Sequence, residues 1–233
     1  MVALFPEGFE EREDALALEL AGFGDSVAAE RLARRLGPVK VEPLEPGWEE
    51  RWKTFHRPVR IGRLWVGPPW ERPEEDAAPV VIDPGRAFGT GAHPTTRLCL
   101  ELLLGLAPTS VVDLGSGSGV LAVAAARLSF SPVFALDLDP AAVEATRANA
   151  AANEVVIDVA TADVLADPLP DALVAVANIA LPVVEALAAR LPAGRLIASG
   201  YLENETLDVP GWRRLQRREC EGWAADLLER FYH

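Results

Sequence analysis

Basic side chains are scarce in this 233-residue chain: 22 Lys and Arg face 35 Asp and Glu, for a net charge of −13. A phosphate backbone calls for the reverse balance, so nucleic acid is not expected as a direct ligand. The acidity suits a basic protein partner, and it is also a common way of staying soluble. Cysteine is nearly missing. Cys99 and Cys220 stand far apart without partner spacing, and both read as reduced core thiols of a cytoplasmic protein. Histidine is limited to His56, His93 and His233, with no His/Cys/Asp cluster at ligand spacing, so no metal site is expected. No Ser-His-Asp set and no P-loop is present. Long apolar runs are lacking too, and Glu7, Glu10, Glu11, Glu13 and Asp14 crowd the start. That excludes a signal peptide or a membrane span from the reading.

What is present is a globular composition, 50% apolar and 24% charged, with enough residues to bury a full core. Three regions differ in character. Residues 1–45 are acidic at first. Asp25-Ser26 can then cap a helix ending at Gly37-Pro38, and 39–41 can form a strand. This is a small appendage or a truncated domain. Residues 46–79 hold Trp48, Trp52, Trp65 and Trp70 among prolines, which reads as an aromatic connection with a short helix over 49–55. From 80 to 233 apolar runs of strand length alternate with helical segments: helices over 94–105, 120–128, 140–153 and 182–190, strands over 80–82, 155–160, 172–177 and 194–199. Residues 212–220 and 223–231 read as a hairpin turning at Glu221-Gly222. The expected fold is α/β: a doubly wound, mostly parallel sheet with an antiparallel C-terminal hairpin. The runs at 155–160 and 172–177 are expected to be buried on both faces.

The chain is organised around residues 110–140. A short apolar run reaches Asp113, and Gly115, Gly117 and Gly119 then alternate before a helix. A second apolar run ends in Asp137. Strand, glycine turn, helix, strand and acid make one βαβ unit that binds a nucleoside at the carboxyl ends of its strands. The glycines let backbone approach a ligand at a helix start. A dinucleotide fingerprint needs its third glycine at 120, where Val120 stands. The spacing Asp-x-Gly-x-Gly-x-Gly therefore points to S-adenosylmethionine, which has no pyrophosphate to cradle. Asp137 is placed to accept both hydrogen bonds of a ribose diol. Its competing role, capping the helix at Pro140, suits Asp139 better. Asp163 follows the third run, where it can meet adenine or be a plain loop carboxylate. Asn178 ends the fourth run, where a neutral amide can accept a hydrogen bond beside the methyl donor. His93 is open between a base and a loop anchor.

These motifs resemble the ribosomal protein L11 methyltransferase family. The resemblance is carried by Asp83-Pro-Gly-Arg-Ala-Phe-Gly-Thr-Gly-Ala-His93-Pro-Thr-Thr96, Asp113-Leu-Gly-Ser-Gly-Ser-Gly119, Asp137-Leu-Asp-Pro140, Asn149 with Asn153, Ala177-Asn-Ile-Ala180 and Ser199-Gly-Tyr-Leu202. It covers about residues 46–230, and the stretch 88–96 is its most discriminating part. It implies a class I, Rossmann-like methyltransferase domain over 80–233 with a cofactor pocket lined by Thr96, Gly115, Asp137 and Asn178. Thr90 and Gly91 would form part of a lid. It implies methyl transfer to lysine and N-terminal amines of L11, with Asn178 positioning the amine. Members begin with a compact substrate-recruiting domain, of which residues 1–45 would be a small or truncated form. Two other functions fit the same residues: a methyltransferase of this fold acting on another protein lysine or a small molecule, or a non-catalytic nucleoside-binding scaffold.

Overall fold

The computed structural model describes residues 9–14, 17–22, 56–84 and 91–231. It divides into two compact units, Met1–Lys53 and Thr54–His233. In the first, β1 (Phe9–Asp14) and β2 (Ala17–Gly22) pair antiparallel, Phe9 opposite Gly22 and Asp14 opposite Ala17. By its sequence this stretch is acidic, without a strand pattern. The capped helix expected from Asp25, the strand at 39–41 and the helix at 49–55 lie outside the described residues.

The second unit opens with a three-stranded sheet: β3 (Val59–Ile61), β4 (Leu64–Gly67) and β5 (Ala78–Val81), in that order. Part of the stretch read as a connection is thus strand. All four residues of β4 are buried, and Leu64, Val66 and Val80 join the main core.

The main sheet contains β6 (Val111–Leu114), β7 (Val133–Asp137), β8 (Asp158–Thr161), β9 (Val174–Asn178), β10 (Arg195–Leu202), β11 (Trp212–Cys220) and β12 (Trp223–Arg230). Its order is β11-β12-β10-β9-β6-β7-β8, parallel from β10 to β8 and antiparallel at the hairpin. The hairpin turns on Glu221 (φ 53°) and Gly222 (φ 81°), the paired positive angles of a two-residue turn that follows strand twist.

Four helices lie among the described residues: α1 (Pro94–Leu104), α2 (Val120–Arg127), α3 (Pro140–Ala152) and α4 (Leu181–Ala188). Prolines at the starts of α1, α3 and α4 cost no hydrogen bond there, because the first turn has no intrahelical acceptor for its N–H groups. In α2 every residue from Val120 to Ala125 is buried, and its alanines are small enough for close packing on the sheet. One face of the sheet packs against α1, α2 and the three-stranded sheet; the other packs against α4, Leu191 and Trp212.

Two expectations need correction. β9 is buried from Val174 to Ala177, but β8 is the sheet edge, begins only at Asp158 and is largely exposed. An apolar run reports what could be buried, and an edge position leaves it uncovered. Cys99 is a buried thiol as read, whereas Cys220 is half-buried at the hairpin, with Arg97 donating to its Sγ at 3.2 Å.

Candidate functional site

β6 has β7 on one side and β9 on the other. The chain runs outward from β6 through β7 to β8 and returns at β9, so the sheet order reverses between β6 and β9. Ligands of doubly wound sheets bind at such a switch point, beyond the carboxyl ends of the strands. Asp113, Asp137 and Asn178 lie at those ends.

The turn after β6 requires its glycines. Gly115, Gly117 and Gly119 have φ of 78°, 55° and 79°, angles that L side chains rarely adopt. A Cβ on Gly115 would stand 2.6 Å from Ile179 Cγ2, so this turn and the segment after Asn178 touch.

Asp137 braces the turn. Its Oδ2 accepts from Gly117 N at 2.8 Å and its Oδ1 from Asp139 N at 2.9 Å. Each carboxylate oxygen has a second lone pair, enough for a diol. Asp139 caps α3 by accepting from Ala141 N at 2.9 Å, as the sequence suggested.

Asp113 is buried. Its Oδ2 accepts from Ala122 N at 3.1 Å, and its Oδ1 has no hydrogen-bond partner. Burial pushes this carboxyl up to about 7; the Ala122 N–H opposes the shift and the nearby Asp137 charge adds to it. An unpartnered buried carboxyl oxygen is a place for a ligand's cationic or N–H group.

Asn178 Nδ2 donates to Thr96 Oγ1 at 3.3 Å, and Thr96 is buried in the first turn of α1. The donor end of the amide is thus engaged, which leaves Oδ1 as the acceptor end. Gly91 has φ 86°, and a Cβ there would meet Val66 Cγ1 at 2.4 Å. Thr90 lies outside the described residues. Asp163 builds its own turn: Oδ1 accepts from Leu165 N, while its N–H donates to Asp167 Oδ2, each at 2.8 Å. His93 is the N-cap of α1, with Nδ1 accepting from Thr95 N and lying 2.8 Å from Thr95 Oγ1. Its ring meets Trp223 edge-on at 5.0 Å between centroids, and burial lowers its pKa.

Direct bonds therefore join Gly117 to Asp137 and Thr96 to Asn178, and Ile179 packed on Gly115 links the two pairs. Sequence reasoning overlooked Leu138, directly after Asp137 and 67% exposed, and Leu165, close after Asp163. Nothing local in the sequence marks either leucine as exposed. The capping role of His93 did have a signal, its place immediately before Pro94 at a helix start. Among the described residues no three His, Cys, Asp or Glu side chains gather to hold a metal ion.

The family model for ribosomal protein L11 methyltransferase matches residues 16–225. The chain belongs to that family.

Members of the L11 methyltransferase family are methyltransferases, and this chain is one of them. The chain is 42% identical over 216 residues to the ribosomal protein L11 methyltransferase of Symbiobacterium thermophilum, covering 83% of this chain and 71% of that protein. It is 41% identical over 191 residues to the same-named protein of Photobacterium profundum, covering 73% and 62%. A crystal structure of ribosomal protein L11 methylase from Lactobacillus delbrueckii subsp. bulgaricus superposes with a TM-score of 0.66 at 25% identity, over 76% of this chain and 100% of that one.

Proposed function

We propose that this chain transfers methyl groups from S-adenosylmethionine to amino groups of ribosomal protein L11, lysine side chains and the N-terminal amine among them. The observation that carries the reading is the junction at the switch point, where the glycine turn braced by Asp137 meets the Thr96–Asn178 pair through Ile179. S-adenosylmethionine supplies a sulfonium methyl that an amine nitrogen can take by direct displacement.

The protein's part is mainly to bind and orient. Asp113 Oδ1 takes the cationic end of the cofactor, Asp137 the ribose diol, and the turns of Leu138 and Asp163 the base. Gly115 and Gly117 let the chain approach closely, and Gly91 serves as part of the lid. A lysine amine has a pKa of about 10.4 in water and must lose its proton before it can attack. Leaving water favours its neutral form. Asn178 Oδ1 then accepts one N–H of the amine, which fixes the nitrogen without adding a charge. His93, which caps α1 three residues before Thr96, serves as a loop anchor. The acidic chain suits a basic substrate protein, and the reading places the enzyme in the cytoplasm with no nucleic-acid or membrane role. No helix among the described residues is long and apolar enough to cross a membrane. The division into a recruiting region (1–45), a connection (46–79) and a catalytic domain (80–233) belongs to the same proposal.

The test is incubation with methyl-labelled cofactor and purified L11. Label on L11 is expected, and Asp137→Ala should weaken cofactor binding by about 100-fold, the loss of charge-assisted hydrogen bonds. Label that spares L11 and marks another component of a lysate would overturn the substrate assignment.

A further inference from the structure

The glycine turn is held on its carbonyl side by one face of α3. Thr146 and Asn149, three residues apart, point inward together and are 0% and 3% exposed. Thr146 Oγ1 donates to Gly117 O at 3.0 Å. A threonine hydroxyl has a single proton, so the 3.1 Å contact with Ser116 Oγ must have the serine as donor. Asn149 Nδ2 donates to Ser118 O at 2.8 Å, while its Oδ1 accepts from Asp83 N at 3.0 Å. Thr146 also comes so near that a Cβ on Gly119 would lie 2.7 Å from its Cγ2. Two consecutive carbonyls of the turn, Gly117 and Ser118, are therefore satisfied by buried groups of α3.

A peptide unit is planar, so fixing its carbonyl also fixes the N–H on its other side. Left-handed glycines have broad freedom, and a turn of three would otherwise sample many orientations. Ordering that turn at the moment of binding would reduce affinity.

We propose that Thr146 and Asn149 are positioning residues for the cofactor turn: they hold the Gly117 and Ser118 carbonyls so that the turn stands ready in its binding conformation. Asn149 in addition ties the turn to Asp83, at the root of the segment leading to α1. This rests on the cofactor reading above. Asn153, one helical turn further, provides a control. Its amide accepts from Val81 N at 2.8 Å and donates to Val81 O and Asn149 O, without touching the turn.

The experiment is calorimetric titration of the full chain with S-adenosylhomocysteine, alongside thermal melting. Thr146→Val keeps shape and removes the hydroxyl; its Kd should rise about tenfold, equal to about 1.4 kcal/mol. Thr146→Ser should restore near-parental binding. Asn153→Ser should lower Tm and leave Kd unchanged. If Thr146→Val does not fold, Thr146→Ala is read in the same way. Parental binding by the hydroxyl-free variant would overturn the proposal. So would equal weakening by Asn153→Ser, since the effect would then be general loosening. Failure of the parent chain itself to bind would overturn the cofactor reading instead.

Discussion

At the residue scale the site depends on a few carboxylates, and Asp113 shows how position alters one of them. Its carboxyl is raised to about 7 mainly by burial. A carboxyl raised in the folded state favours folding fully below its ordinary value of about 3.9, and that contribution is lost as pH rises toward about 7. A cationic ligand group at Oδ1 acts in the opposite sense, because it needs the ionised form. Affinity for S-adenosylhomocysteine should thus rise up to about tenfold between about pH 6 and about pH 8. Asp113→Asn should flatten the profile; a flat profile in the parent chain would remove Asp113 from the ligand. The sequence made Asp113 visible as the start of the glycine motif, and Asp137 and Asn178 visible as ends of apolar runs. It did not reveal that Oδ1 of Asp113 lacks a partner, because burial comes from α2 and the neighbouring strands rather than from local pattern. The capping bond of His93 was legible in principle, since Pro94 marks the helix start beside it.

At the scale of elements, helix ends were the best-read features and two of them are imperfect. After α2, Ser129 N donates to Ala126 O and Phe130 N to Ala125 O, the paired bonds of a Schellman ending. Ser129 holds the left-handed position of that ending, with φ 71°. After α3, Glu154 (φ 54°) donates to Ala151 O and Val155 N to Ala150 O in the same way. A side chain in that conformation costs about 1–2 kcal/mol, which glycine avoids while losing some unfolded-state entropy. Ser129→Gly should stabilise the fold by about 0.5–1 kcal/mol and raise Tm by about 1–4 °C. Glu154→Gly should do likewise; a lower Tm in both would contradict the account. Strand burial was read less well. The runs at 155–160 and 172–177 look alike, yet β9 is central and β8 is an edge. Strand order comes from how the crossovers pack, and periodicity within one strand carries no record of its neighbours.

At the scale of the whole molecule, the feature with the furthest reach is charge. The chain carries −13 at neutral pH, with a pI near 4.7. A field of that sign draws a basic protein in and acts over distances set by salt, with screening beyond about 8 Å at physiological ionic strength. Binding of S-adenosylhomocysteine depends on contacts inside a closed-in turn and should vary little with salt. Encounter with a basic protein should weaken steadily as salt rises. For methylation of L11, kcat/KM should accordingly fall at least about threefold between about 50 and about 300 mM NaCl, with kcat nearly constant. A short lysine peptide, with few charges to steer, should show a much smaller loss. Equal salt dependence of the two acceptors would mean that the acidic balance only maintains solubility, the bland reading that composition left open. A loss confined to kcat would place the salt effect within the site, on the charged pair that Asp113 is proposed to form there.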